Sequence, residues 1–217
     1  MAKKFTQIPK DTFDTLQLDV GVLLKAFDPA KPDFKNEDII CATTGGINVT
    51  CTPTYSDLGE DVDNCPTNMM ELKHLDSWAC AIAFTSLSTS EEVLMMALGA
   101  ADKTEGGAIV PRVSLQTEDF KDIWWVGDIA NGGAVAVKLL NGLSTGGLSL
   151  QTTKNGKGQL SVTMTGHVSL ANQNTMPMEF YSISSEVVSP PEPESLSAEE
   201  THAVDVESDT DTDDTEY

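Results

Sequence analysis

The sequence predicts a mainly β chain: an antiparallel β-sandwich or barrel with one flanking α-helix, followed by a disordered acidic C-terminal tail. Three observations carry this expectation. Asn-Gly pairs stand at Asn131-Gly132, Asn141-Gly142 and Asn155-Gly156, and Asn-Gly readily takes the positive φ of a type I′ turn, so each pair is expected at a hairpin corner. Residues 119–170 therefore read as an antiparallel meander. Apolar residues alternate with polar ones over most of the remaining chain, the period of a half-buried strand. Only one segment has helical spacing: Val93, Leu94, Ala97, Leu98 and Ala101 form a single apolar stripe.

In chain order, Leu16, Leu18, Val20, Val22, Leu24 and Ala26 alternate with polar residues and predict a first strand. After Pro29 and Pro32 comes a segment over 38–43, and the Gly45-Gly46 pair reads as a turn into a second strand carrying Ile47, Val49, Cys51 and Tyr55. The stretch 56–68 is a polar loop, long enough to expect a function for it or a lack of order. Residues 76–87 read as a strand. Ser88 and Glu91 then fit a capping box opening the helix, which is expected to end near 99–103. Further strands are expected over 109–115, 120–129, 134–140, 148–153, 159–170 and 177–183. The clearest alternates Leu160, Val162, Met164, Val168 and Leu170 with polar residues.

The 217 residues suffice for one sizeable domain with an appendage. The net charge is −21, and it is unevenly placed: twelve of the 34 acids lie in 186–217 without a Lys or Arg, leaving 22 acids against 13 bases before it. The expected division is a body, 1–185, and an acidic tail, 186–217, too polar and self-repelling to fold. An acidic body opposes phosphate binding, which needs clustered Lys and Arg. No run approaches the length of a membrane span, and the N-terminus lacks the apolar core of a signal peptide. Cys41, Cys51, Cys65 and Cys80 form no close pair of the zinc or redox type. They are expected as reduced thiols, two or three of them in the core.

Residues suggestive of chemistry lack the context it requires. Gly142-Leu143-Ser144-Thr145-Gly146 matches the nucleophile elbow, but a β-alternating segment follows where a helix is needed, and no acid lies between Ser144 and His167. It is expected as a turn. The acidic loop does not fit a calcium-binding frame: counting from Asp57, the sixth and twelfth positions hold Val62 and Asn68 instead of Gly and Glu. His74 and His167 are isolated. Asn48-Val49-Thr50 is a glycosylation sequon by pattern only. Trp124 and Trp125 should face opposite sides of a strand, one in the core and the other available to a subunit contact. No enzyme activity, cofactor or metal is expected.

The order of elements resembles the major tail protein, or tail tube protein, of long-tailed bacteriophages. The resemblance runs from the strand at 13–27, through the hairpin at 39–54 and the loop at 56–68, to Ser77-Trp78-Ala79-Cys80-Ala81-Ile82-Ala83-Phe84-Thr85-Ser86-Leu87. It continues with the helix and its Leu98-Gly99-Ala100-Ala101-Asp102 end, then the meander to residue 183. It implies a structural virion protein that self-assembles into hexameric rings, stacked into the tube that conducts DNA on ejection. It further implies partners such as tape measure and terminator proteins, passage of DNA without sequence-specific binding, synthesis in the host bacterial cytoplasm and residence in the phage tail. By position the loop would reach the neighbouring ring, which makes Asp57, Glu60, Asp61 and Asp63 the inter-ring contact candidates, with 1–10 a further one. Alternatives are a capsid decoration or tail-terminator protein, or a β-sandwich adhesive or ligand-binding module.

Overall fold

Residues 8–188 are described by a computed structural model; the expected acidic tail beyond Val188 and the N-terminal residues 1–7 lie outside them. The chain order is β1 (Gln17–Leu24), β2 (Thr43–Asp57), β3 (Lys73–Ser86), α1 (Glu91–Leu98), β4 (Ala101–Lys103) and β5 (Ile109–Pro111). Then follow β6 (Lys121–Ile129), β7 (Ala134–Ser144), β8 (Ser149–Gln151), β9 (Gln159–Thr165) and β10 (Met178–Ile183). The fold is mainly β with one α-helix among the described residues, as expected. Every strand pair is antiparallel.

Two sheets share β7. One runs β1-β6-β7-β10; in the other β2, β3 and β9 are neighbours, and β9 is flanked on its far side by the end of β7 and by β8. Asn141-Gly142 is the point where β7 changes sheets, and it is not a hairpin corner. Asn141 sits at φ 47°, the pairing with β6 slips there, and Leu143 and Ser144 go on to pair with β9. The site is held by local polar bonds: the Asn141 amide donates to Asp122 Oδ1 at 3.0 Å, and its side-chain Nδ2 donates to the His167 carbonyl at 2.9 Å. Bulges of this kind bend a strand and re-aim it.

The other two Asn-Gly pairs do lie at corners, in forms other than a two-residue turn. Between β6 and β7 the Gly132 amide donates to Ile129 and Gly132 takes φ 84°, the three-residue hairpin that ends in a left-handed glycine. Between β8 and β9 it is Asn155 that takes positive φ, 60°.

The main core lies between the sheets and under the helix. Cys80, Ile82 and Phe84 of β3 and Leu160, Val162 and Met164 of β9 meet Leu23, Ile123, Val137, Leu139 and Met178 from the other sheet, and Val93, Met96 and Ala97 from α1. A second cluster covers the opposite face of the first sheet, where Trp124, Val126 and Ala136 pack with Phe27, Ile39, Tyr181 and Val188. Alternation along β6 sends Trp124 to one cluster and Trp125 to the other. Trp124 is buried and Trp125 half-buried, so each packs on one face of the strand within the chain.

Four further expectations change. Gly45-Gly46 does not turn the chain: both residues have positive φ, 76° and 89°, and form a two-residue bulge within the single long strand β2. The segment expected at 38–43 is a short 3-10 turn and one bridge from Ile39 to Leu24. β9 stops at Thr165; the Gly166 amide still donates to the Cys80 carbonyl at 2.9 Å, and Val168 and Leu170 beyond it are exposed. The helix is preceded by Ser90 at the cap position, and no capping box forms between Ser88 and Glu91; Ser88 instead bonds back to Ser86. Gly99, at φ 77°, ends the helix where expected.

Candidate assembly surface

The feature that stands apart from the packed body is the β2–β3 ribbon. The two strands pair continuously from Thr43↔Ser86 to Asp57↔Lys73, apart from two bulges. β9 covers β3 only from Ala81 to Ser86. Beyond Cys80 the ribbon therefore runs on with no third strand beside it among the described residues, and Leu75, Asp76, Ser77 and Ala79 are all exposed. β2 is the last strand of its sheet, so its outer row of backbone amides and carbonyls has no strand partner among the described residues. Exposed edges of this length are templates for pairing with another chain unless they are blocked.

At the tip, residues 58–69 fold into a loop ordered by its own polar groups. Leu58 donates its amide to Leu72 at 3.0 Å, and successive turns are closed by Glu60 to Asp57, Val62 to Gly59 and Cys65 to Val62. Asp57 organises it: Oδ1 accepts from the Gly59 amide at 3.1 Å, Oδ2 from the Asn68 amide at 2.9 Å, and Lys73 Nζ lies 3.5 Å away. These amides, and then the lysine, hold the Asp57 carboxyl below its ordinary value. Of the four acids singled out in the sequence, Asp57 is thus turned into the loop. Glu60, Asp61 and Asp63 stand exposed beside Leu58, Val62 and Met70, the last of these 81% accessible. Tyr55 and Leu75, opposed across the ribbon, are also exposed. Sequence reasoning singled out the acids through their density and placed Tyr55 on a strand, but gave no role to Leu58, Val62 and Met70, which lack strand or helix periodicity.

The outward face of the same sheet is uncharged and made of small side chains. Thr50 and Thr52 lie opposite Ala81 and Ala79, and Ala83 lies opposite Thr163 of β9. An open hollow of about 380 Å³ lies there, where the Gly45-Gly46 bulge leaves space beside Ala83 and Ser161.

Among the described residues, the groups suggestive of chemistry are engaged in structural contacts. Ser144 of the elbow-like motif lies at the end of β7, where its hydroxyl donates to the Ala97 carbonyl at 2.8 Å and tethers the last turn of α1. His167, Asp122 and Glu179 line a second hollow of about 360 Å³. Each is already engaged: His167 with the Asn141 carbonyl, Asp122 with Lys138, and Glu179 with the Tyr181 hydroxyl. Among the described residues no group of three His, Cys, Asp or Glu could hold a metal ion, and no helix is long and apolar enough to cross a membrane.

No family model matches the chain, and no curated protein matches it. Seven chains of solved structures resemble it, among them two of low identity. A chain of the virion of a native gene transfer agent particle is 8% identical with a TM-score of 0.39, covering 75% of this chain and 95% of that one. An Hcp protein crystal structure is 16% identical with a TM-score of 0.29, covering 61% and 69%.

Proposed function

We propose that this chain is a structural subunit of a phage-type tail tube, acting by self-association and without turnover. The observation that supports it best is the β2–β3 ribbon, which offers a long unpaired backbone edge and carries a self-ordered tip clear of the packed body. Edge pairing with a neighbouring copy would satisfy the free amides and carbonyls of β2. A head-to-tail contact of this kind closes into a ring when its rotation allows, and six subunits is the number implied by the resemblance of the sequence to major tail proteins. The tip, with Glu60, Asp61 and Asp63 around Leu58, Val62 and Met70, would then contact the next ring. Stable interfaces bury on the order of 1,600 Å² in total, and these exposed apolar residues would contribute buried area to that contact. On this reading the body is 1–185, further partners are tape measure and terminator proteins, the site of action is the virion, and the acidity of that body, 22 acids against 13 bases, lets DNA pass without being gripped.

Negative-stain microscopy of the purified full chain is the test. Rings or tubes with a central channel are expected, and a monomer that persists at high concentration overturns the reading. Deletion of 58–69 should leave rings that no longer stack. Normal tubes from that variant would remove the tip from the ring-to-ring contact while leaving the tube reading in place.

A further inference from the structure

The structure brings together two thiols that the sequence keeps 29 residues apart. Cys51 and Cys80 are direct partners in the β2–β3 register, and their Sγ atoms lie 3.1 Å apart. Opposed residues of antiparallel strands stand about 4.5–5.5 Å apart at Cα, inside the span of about 4.4–6.8 Å that a disulfide bridges. Cys80 is buried and Cys51 is half-buried on the edge strand, so an outside reagent meets Cys51 first. The other two thiols are differently placed: Cys41 precedes β2, and Cys65 sits in the tip loop against Met69.

We infer that Cys51 and Cys80 are a paired oxidation site, closed to an intramolecular disulfide by exchange with a small-molecule disulfide. The Cys51 thiolate attacks one sulfur of that oxidant, forming a mixed disulfide and expelling the first small thiolate. Cys80, deprotonated, then attacks Cys51 Sγ and expels the second. The protein loses two thiol hydrogens, the oxidant is reduced to two thiols, and no other reactant is needed. Burial, and then the neighbouring Cys51, push the Cys80 thiol up to about 12; conversion of Cys51 to the mixed disulfide removes that neighbour's share. The second attack needs Cys80 deprotonated, so it quickens with rising pH. The bond lies where β9 stops covering the ribbon, so it pins the root of the projecting arm and closes 52–79 into a loop. The inference rests on the register of β2 and β3 and is independent of the proposed assembly.

The test equilibrates the reduced full chain with glutathione disulfide at mildly alkaline pH, followed by alkylation and peptide mapping without reduction. A peptide joining Cys51 to Cys80 is expected, with a mass lower by two hydrogens and with Cys41 and Cys65 still alkylated. The thermal midpoint should rise by several degrees and return on adding dithiothreitol. Cys51→Ser, a change at a half-buried edge position, should abolish both the cross-link and the rise. The inference is overturned if both thiols remain alkylatable, if Cys51 stalls as the glutathione adduct, or if the cross-link joins other cysteines.

Discussion

The indole N–H of Trp125 donates to the carbonyl of Val20 across 2.9 Å, and this bond closes the gap left where β1 bulges away from β6. Three residues of β1 oppose a single residue of β6 there, with Asp19 at φ 55° and Gly21 at φ 73°. The ring reaches this position only because Gly127 has no Cβ; one built there would lie 2.9 Å from the Trp125 ring. Gly21 is required on the other side, because its Cβ would strike the Val126 carbonyl and lie 2.9 Å from the indole nitrogen.

Gly21→Ala should therefore destabilise the chain more than Trp125→Phe. The alanine combines a positive φ, which costs about 1–3 kcal/mol, with a clash against backbone that cannot rotate away. The phenylalanine loses one hydrogen bond of about 1 kcal/mol and part of the ring's buried area. Urea unfolding of the two variants checks the order, and an equal or reversed ranking would show that the bulge is not held by Gly21.

A similar comparison separates packing from tethering near β7. Leu139 is 0% exposed at the centre of the main core, so Leu139→Ala is expected to cost about 2–5 kcal/mol, a large part of a total stability of about 5–15 kcal/mol. Ser144→Ala removes only the hydroxyl bond to Ala97, worth about 1 kcal/mol. Its effect should concentrate on α1, seen as faster amide exchange at Gly99, which donates to Met95 and Met96. If Ser144 supported a hydrolytic activity, this variant would abolish it; no such loss is expected.

Acid should loosen the tip through Asp57. Its carboxyl is held below the ordinary 3.8 by the Gly59 and Asn68 amides and then by Lys73. A carboxyl lowered on folding contributes stability that is present above the unfolded value and is lost as pH falls through the folded one. The window thus lies below about pH 4. An NMR titration of the Asp57 carboxyl carbon should give a midpoint below that of a model peptide. Asp57→Ala should speed proteolytic cleavage within 58–68 at neutral pH, where the native loop resists it. Unchanged cleavage would mean that the backbone turns alone hold the loop.

The strands were legible in the sequence wherever one side faces the core and the other does not. Leu160, Val162 and Met164 alternate with polar residues because sheet packing on one side demands it, and the helix was legible from the spacing of Val93 and Ala97. Glycine pairs were less informative. Gly45-Gly46 and Asn141-Gly142 carry the local signature of a turn and become bulges, since positive φ is common to both and only the neighbouring strand decides whether the chain reverses. Of the candidate assembly surface, the acids stood out by their density and the existence of sheet edges followed from the β class, but which strand is the free edge did not, because an edge is defined by what fails to pair with it.

The sequence by itself determined the β class, the single helix, the chain's acidity and the lack of context around Ser144. These follow from residue type and short periodicity, which depend on local backbone geometry and one-sided burial. Only the tertiary structure decided that β7 is shared between two sheets, that Trp125 fills a bulge closed by Val20, that Ser144 ties down α1, and that Cys51 faces Cys80. Each of these depends on register between segments distant along the chain, which is set by side-chain fit across the core and leaves no mark in local spacing.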